Sequence, residues 1–268
     1  MRLATIVEDG RPVIVAVAAQ SDRVFELRPQ MSMKELIATG DLDAIEVQVT
    51  RLTPDSGRWI QSVTWAPAVP DPGAVFTVGA NYRRPNQPGG DRPEWPRILG
   101  KLPSSVTGNG AVVRWDRSLT ANVDAECELG VVVGREASIF GYTIVNDMNS
   151  VDPWLDGDQW LLGKSMAGFC PLGPWIVTAD ELDPANIRLG CTINGEPIQE
   201  GRTSQMWFSI AEILSYIGRH VELRPGDVIA TGTPARLASP PGPERHLRTG
   251  DVVTCWIEGI GELTNTIG

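Results

Sequence analysis

The sequence predicts an α+β protein that is mainly β, with a small β-rich N-terminal domain at residues 1–70 and a larger domain at residues 71–268. Short apolar segments bounded by glycine turns recur along the chain, as in proteins built mostly from strands. A proline-rich segment at 66–73 separates the two parts, because proline neither donates to a β-ladder nor continues a helix. With 268 residues and 42% hydrophobic content, the chain can bury a sizeable core.

The N-terminal domain is predicted to open with a β-hairpin over residues 3–18. The apolar runs on either side of Gly10 alternate suitably, and Asp9-Gly10 fits a tight turn with positive φ. Ser32 and Glu35 have the spacing of a capping box, in which each side chain bonds the other residue's backbone N–H. A helix is therefore expected to begin there and to end near Gly40.

The larger domain is predicted to be a succession of strands with one main helix. Asn194-Gly195 between apolar runs is a strong hairpin signal. Apolar residues repeat at helical spacing over 206–219, which predicts a helix with Ser209 and Glu212 near its start. The expected strands cover residues 75–78, 126–134, 176–178, 189–193, 228–231 and 252–257.

Charge and composition exclude several classes of partner. The net charge is -10 and the basic residues form no run, so neither nucleic acid nor an anionic membrane is an expected ligand. The first nine residues contain a charged pair before any apolar core of a signal peptide, which favours a cytoplasmic location. The expected partner is a small-molecule substrate. Buried free thiols, rather than a zinc site or disulfides, are expected for the cysteines at 127, 170, 191 and 255.

Acidic residues at strand ends are the main functional signal. Asp124, Glu126 and Glu128 alternate along one predicted strand, so their side chains would share a face, about 6 to 7 Å between neighbours. A solvated strand face would show the same alternation. Asp147 ends a second apolar segment at 141–147, which favours convergence on one buried point. Oxygen-only ligands select magnesium, manganese or calcium over zinc or copper.

Seven ordered motifs resemble the fumarylacetoacetate hydrolase family over roughly residues 74–267. They stand at residues 124–129, 141–147, 163–165, 171–174, 193–196, 225–234 and 250–253. The resemblance implies a β-roll catalytic domain, usually a homodimer, that acts on 2-oxo acids or β-diketo acids with bound Mg²⁺, or with Mn²⁺ or Ca²⁺. It places Glu126, Glu128 and Asp147 on the metal-ligand positions.

The same resemblance assigns expected roles to further residues. Lys164 falls on a lysine beside the metal, where it would stabilise charge or, if burial lowers its pKa, move a proton. A surface lysine after a helix is the plainer interpretation of Lys164. Lys101 matches a lysine that we interpret as structural. Thr233 falls on a threonine that contacts the substrate carboxylate, and Tyr82 and Trp154 are expected to contact substrate.

Several positions depart from the family pattern. The lid segment carries Pro85 and Pro88 where the hydrolases have the histidine and glutamate that activate water, and proline cannot act as a base. Val151 and Trp154 replace an arginine and a glutamine that commonly bind substrate. Glu94 is the only carboxylate near the lid that is a candidate replacement base. Both histidines, at 220 and 246, are expected in loops remote from the metal and without a catalytic role.

These departures favour a metal-dependent enzyme that stabilises an enolate without histidine-activated water. Lyase, decarboxylase, tautomerase and cyclisation chemistry all fit that description. Hydrolysis with another water activator is the first alternative. A catalytically silent metal- and ligand-binding protein is the second, although the retained acids and Lys164 argue against it.

Overall fold

The computed structural model describes residues 1–18, 22–28, 31–51, 57–83, 92–152, 158–237 and 245–268. It confirms the mainly β, α+β class. In chain order, the strands are β1 Arg2–Glu8, β2 Arg11–Val17, β3 Arg23–Glu26, β4 Arg58–Trp59, β5 Thr64–Trp65, β6 Val75–Gly79, β7 Arg97–Lys101, β8 Val106–Thr107, β9 Val112–Val113, β10 Val123–Asp124, β11 Cys127–Val133, β12 Ile139–Asn146, β13 Asn149–Ser150, β14 Cys170–Thr178, β15 Arg188–Ile193, β16 Glu196–Arg202, β17 Val228–Ala230, β18 Val252–Ile257 and β19 Gly261–Ile267.

The helices within the described residues are few and short. The α-helices are α1 Met33–Thr39, α2 Leu42–Thr50, α3 Trp160–Lys164 and α4 Ile210–Gly218, and 3₁₀ turns occupy Ile60–Ser62, Pro103–Ser105, Arg135–Ala137, Pro184–Asn186 and Thr203–Gln205. None of these helices is long and apolar enough to cross a bilayer.

The strands form two main sheets. The larger sheet has the order β4-β3-β2-β1-β14-β12-β11-β17-β6-β7, with β5 added to β1 and β8 to β14. The smaller has the order β16-β15-β18-β19-β9, and β10 and β13 form a separate two-stranded ladder. Strands β11, β12 and β14 contact β15, β18 and β19, and every residue of β11 is buried. Side chains at the ends of β11 and β12 therefore lie at the edge of the main core.

The N-terminal hairpin is confirmed, and it is part of the larger sheet. Asp9 and Gly10 take positive φ values of 48° and 74°, as a two-residue turn requires. Strand β1 pairs with β2 on one side and with β14 on the other, where Leu3 lies opposite Ile176. The first strands thus share a sheet with residues beyond 70. The division into domains at residues 70 and 71 stays a prediction.

The local signals for turns and caps were largely correct. Ser32 and Glu35 form the predicted capping box, and Gly40 ends α1 with a φ of 64°. Asn194 and Gly195 have φ values of 54° and 81° in the turn between β15 and β16. Helix α2, which Asp41 caps, was not predicted.

The main helix begins later than its apolar periodicity suggested. Met206 has an extended ψ of 141° after a 3₁₀ turn, so residues 206–208 lie outside α4. Ser209 accepts a hydrogen bond from the Glu212 backbone N–H, and this cap fixes the first turn. Capping therefore located the start of the helix better than the spacing of apolar residues.

The cysteines are buried and free, as expected. Cys191 lies opposite Cys255 across β15 and β18, with 3.9 Å between their sulfur atoms.

Candidate metal centre

The register between β11 and β12 brings three carboxylates together. Cys127 lies opposite Asn146, so the next pair outward is Glu126 with Asp147, and the Asp147 N–H donates to the Glu126 carbonyl at 2.9 Å. Glu128 lies two residues along β11 from Glu126, and alternate residues share a face. One ligand atom from each of Glu126, Glu128 and Asp147 lies within 4.8 Å of the other two.

Asp124 does not join this group, contrary to the expectation of a shared face. Residues 125 and 126 lie between strands, and Asp124 belongs to the short ladder of β10 with β13. Its carboxylate pairs with Arg236 at 2.8 Å and with His246 at 2.8 Å. The break in the strand at Ala125 ends the simple alternation, so the motif supplies two cluster acids instead of three.

Two buried lysines hold the third acid. Lys101 Nζ lies 2.6 Å from Asp147 Oδ1 and 2.8 Å from the Met148 carbonyl. Lys164 Nζ lies 2.6 Å from Asp147 Oδ2 and 3.6 Å from Glu126 Oε2. The Lys164 side chain is 5% exposed, so the interpretation as a surface lysine is wrong. Lys101, interpreted from sequence as structural, lies directly in the cluster.

Short segments around the lysines fix their positions. Lys164 is the last residue of α3, and the following Ser165 accepts a hydrogen bond from the Leu102 N–H at 2.9 Å. Since Leu102 directly follows Lys101, this bond joins the two lysine-bearing segments. The lysine-serine pair of the 163–165 motif therefore has a structural reason. Lys164 reaches Asp147, and Ser165 holds the segment that carries Lys101.

Burial and neighbouring charges shift the pKa values of the cluster residues in different directions. Burial, together with the negative charges of Asp147 and Glu126, raises the pKa of Glu128 well above its usual range. Burial would also raise the pKa of Asp147, but the charges and hydrogen bonds of Lys101 and Lys164 lower it. Burial opposes the charge on Lys164, but Asp147 and Glu126 outweigh it and raise its pKa. The lowered pKa that a proton-moving Lys164 would need is not found.

The donor set fits a hard divalent cation. Three carboxylates against two ammonium groups leave negative charge uncompensated in a buried place, which is costly unless a proton or a cation binds. The Glu126 side chain, 31% exposed, leaves the cluster open on one side. Oxygen donors of this kind are the ligands that magnesium, manganese and calcium prefer.

Gly232, two residues after the end of β17, binds the Glu128 carboxyl group through its backbone. The Gly232 N–H donates to Glu128 Oε2 at 2.6 Å. Gly232 has a φ of 98°, and a Cβ there would lie 2.7 Å from Asn81 Cβ and 2.9 Å from the Val78 carbonyl. Both the backbone conformation and the close approach require glycine. The adjacent Thr233 donates to the Cys127 carbonyl at 2.9 Å and accepts from Gln199 at 2.8 Å.

The predicted substrate-contact residues have different surroundings. Thr233 is half-buried beside the cluster strand, and its hydroxyl hydrogen is already used by Cys127. The Tyr82 ring is 5% exposed, and burial together with the charge of Glu128 raises the pKa of its hydroxyl. Asn81 anchors this segment by donating to the Phe208 and Thr231 carbonyls. Trp154, like Pro85 and Pro88 of the lid, lies outside the described residues.

The candidate bases lie in different parts of the structure. Glu94 is exposed, and the carboxylate cluster forms without it. His220 is exposed at the end of α4, with Nδ1 2.8 Å from the Tyr216 carbonyl. His246, in contrast, contacts Asp124, two residues from a cluster acid, and the expectation that it is remote from the metal motifs is wrong. Sequence reasoning missed this contact because 122 positions separate the two residues.

Comparisons with known proteins show the family of this chain. The model of the fumarylacetoacetate hydrolase C-terminal domain matches residues 74–268. Many solved structures resemble the whole chain, among them the three that follow. A fumarylacetoacetate hydrolase from psychrophilic Exiguobacterium antarcticum is 32% identical, with a TM-score of 0.83 and coverage of 100% of this chain and 99% of that one.

The other two structures differ in the reaction that their names state. A 5-carboxymethyl-2-hydroxymuconate delta-isomerase from Mycobacterium smegmatis is 29% identical, with a TM-score of 0.78 and coverage of 100% and 98%. A maleylpyruvate hydrolase from Sphingobium sp. SYK-6, solved with manganese(II) and pyruvate, is 25% identical, with a TM-score of 0.79 and the same coverage. Proteins similar to this chain thus include both isomerases and hydrolases, and one of them binds a divalent metal.

Proposed function

Because the chain belongs to the fumarylacetoacetate hydrolase family, we propose that it is a divalent-metal-dependent enzyme acting on a 2-oxo acid or β-dicarbonyl compound through an enolate. Glu126, Glu128 and Asp147 would hold the cation, with Mg²⁺ as the first candidate and Mn²⁺ or Ca²⁺ as alternatives. The observation that carries the proposal is the buried carboxylate cluster with Lys164 at its edge. A bound cation of this kind supplies a Lewis acid that polarises a keto oxygen.

The protein's own groups suit the stabilisation of negative charge. Lys164 is held as a cation within reach of both Asp147 and Glu126, so it can offset charge that develops on a bound oxo acid. It does so without leaving its ion pair, since an ammonium group has three donors. Lys101, which is fully buried and bound to Asp147 and to the Met148 carbonyl, would position the acid.

Proton shift or carbon–carbon cleavage of an enolisable substrate is favoured over the family's histidine-assisted hydrolysis. The lid has prolines at 85 and 88, and neither can take a proton from water as the family's histidine and glutamate do. The similarity to a protein named as a delta-isomerase supports the same choice. Hydrolysis stays the second candidate, because two of the similar structures are named hydrolases.

The proposal is tested by following two reactions of the magnesium-loaded protein in heavy water. Deuterium uptake at C3 of pyruvate reports enolate formation, and loss of acetylpyruvate reports cleavage. We expect exchange above the rate of free Mg²⁺, with little hydrolytic cleavage, because loss of the base that activates water typically costs about 10² to 10⁴ in rate. Cleavage of acetylpyruvate that is fast in wild type and in Glu94→Gln would favour hydrolysis. If the protein binds metal but catalyses neither reaction, the result would favour a catalytically silent binding protein.

A further inference from the structure

The ladder of β10 with β13 carries a second polar cluster beside the carboxylates. His246 Nδ1 lies 2.8 Å from Asp124 Oδ1, and Arg236 Nη1 lies 2.8 Å from Asp124 Oδ2. Both oxygens of Asp124 are therefore engaged. With Asp124 as acceptor, Nδ1 carries the proton and Nε2 is left with its lone pair, which is the tautomer of a histidine general base.

This pair lies close to the metal-ligand acids. Asp124 and Glu126 are two residues apart, so their Cα atoms are at most about 7 Å from each other. Burial and the negative charges of Asp147 and Asp124 raise the pKa of Glu126 against the opposing charge of Lys164. The segment from Gly232 to Arg236 links the two clusters, because Gly232 binds Glu128 and Arg236 binds Asp124.

His246 also borders the segment that departs from the family pattern. Asp152 accepts hydrogen bonds from Asn122 at 2.6 Å and Ser150 at 3.1 Å. Burial would raise the pKa of Asp152, but these bonds and the nearby His246 lower it. His246 thus lies close enough to Asp152 to influence its charge, and Asp152 directly follows Val151, which replaces an arginine of the family pattern.

The histidine is not needed to hold its own loop. Leu247 donates from its N–H to the Val123 carbonyl at 2.9 Å and accepts from Arg117 at 3.3 Å. Arg245 binds Asp251, which is itself buried. The loop is therefore anchored on both sides of His246. The His246 side chain is 26% exposed, and no partner of Nε2 is found among the described residues.

We propose that His246, positioned by Asp124, is the proton-transfer residue of this site and takes the place of the base missing from the lid. The inference rests on the proposed enolate chemistry. Nε2 of neutral His246 takes a proton from the carbon next to the keto group, and the C–H electron pair passes to the keto oxygen as an enolate. The imidazolium returns the proton to the same carbon or to a conjugated one, so the substrate is isomerised with no other reactant.

The second histidine provides a matched control. His246→Gln, His220→Gln and wild type, each loaded with manganese, are compared for deuterium uptake at C3 of pyruvate. We expect His246→Gln to lose about 10² to 10⁴ in rate while its manganese affinity and melting temperature match those of His220→Gln, which keeps the wild-type rate. Asp124→Asn should lower the rate with manganese binding retained, as expected of a positioning residue.

Chemical rescue separates proton transfer from a structural role. Added imidazole should restore exchange in His246→Ala but not in Glu126→Gln, in which a metal ligand is changed. Exchange by His246→Gln at the wild-type rate, or loss of exchange in His246→Ala that imidazole does not restore, would overturn this inference and leave the proposed function standing. No exchange by manganese-loaded wild type would overturn both.

Discussion

Lys101 and Lys164 bind different oxygens of the same Asp147 carboxylate, each at 2.6 Å. They come from segments 63 residues apart, which the bond between Leu102 and Ser165 holds together. The two lysines therefore lower the pKa of Asp147, whereas burial and like charges raise the pKa of Glu128 well above its usual range. This division decides how the site should respond to metal and to substitution.

Loss of a cluster acid should abolish tight metal binding. Glu128→Gln keeps the shape of the side chain but removes one negative charge, so its affinity for Mg²⁺ or Mn²⁺ should fall sharply. Asp124→Asn is the matched control, because it changes an acid of the same motif that lies outside the cluster. Calorimetric titration of metal into the metal-free proteins measures both. Equal binding by Glu128→Gln and wild type would rule out the assigned ligands.

Lys164→Met should destabilise the metal-free protein more than the metal-loaded one. Removing one partner of a buried ion pair leaves a charge without compensation and typically costs about 3 to 5 kcal/mol, and a bound cation would supply part of the missing charge. Melting temperatures with and without Mg²⁺ measure the difference. Lys34→Met, which changes a lysine near the surface, should lose little in either state. If Lys164→Met lowers the melting temperature equally with and without Mg²⁺, the lysine and the cation do not compensate the same negative charge.

Metal binding should release protons. Because burial and the negative charges of Asp147 and Glu126 raise the pKa of Glu128, a cation competes with a proton for this carboxylate, and the apparent metal affinity should increase as the pH rises. Affinity increases with pH because only the deprotonated carboxylate of Glu128 can bind the cation, and higher pH favours deprotonation. Calorimetry in buffers with different ionisation enthalpies measures the number of protons released. Binding heats that are identical in all buffers would contradict the raised pKa.

Gly232→Ala should weaken both the fold and the metal site. The new Cβ would meet Asn81 and the Val78 carbonyl at under 3 Å, and the positive φ is strained for alanine. We expect a loss of about 1 to 3 kcal/mol in the free energy of unfolding, with reduced metal affinity as the N–H bond to Glu128 shifts. Gly218→Ala, in α4 with no atom within 4 Å of its Cβ, is the control and should not destabilise. Denaturant unfolding and metal titration of both variants test this.

The three acids of the carboxylate cluster could be predicted because their signal is local. Glu126 and Glu128 follow the two-residue period of a strand, and Asp147 ends the neighbouring apolar segment. The same rule failed at Asp124, where residues 125 and 126 interrupt the strand and Asp124 pairs with β13 instead. Periodicity describes a strand only while the strand continues, and the sequence around Ala125 contains no proline or glycine to mark the break.

The contact between His246 and Asp124 could not be predicted in this way. It depends on how a loop before β18 is anchored against a ladder more than a hundred residues earlier. The burial of Lys101 and Lys164 was likewise not indicated by local patterns, since each is a lone lysine that follows a glycine at the end of a short apolar segment. Only the arrangement of β7, α3 and β12 shows that both lysines reach the same carboxylate.

The pairing of β1 with β14 has a consequence for how the chain reaches its native state during synthesis. Leu3 can take its place opposite Ile176 only after about 170 further residues have left the ribosome, roughly ten to thirty seconds at typical translation rates. Until then β1 presents an unpaired apolar edge, protected only by its hairpin partner and β5. Folding should accordingly be slow and post-translational for the central sheet, and the nascent N-terminal hairpin is the segment most exposed to aggregation in that interval.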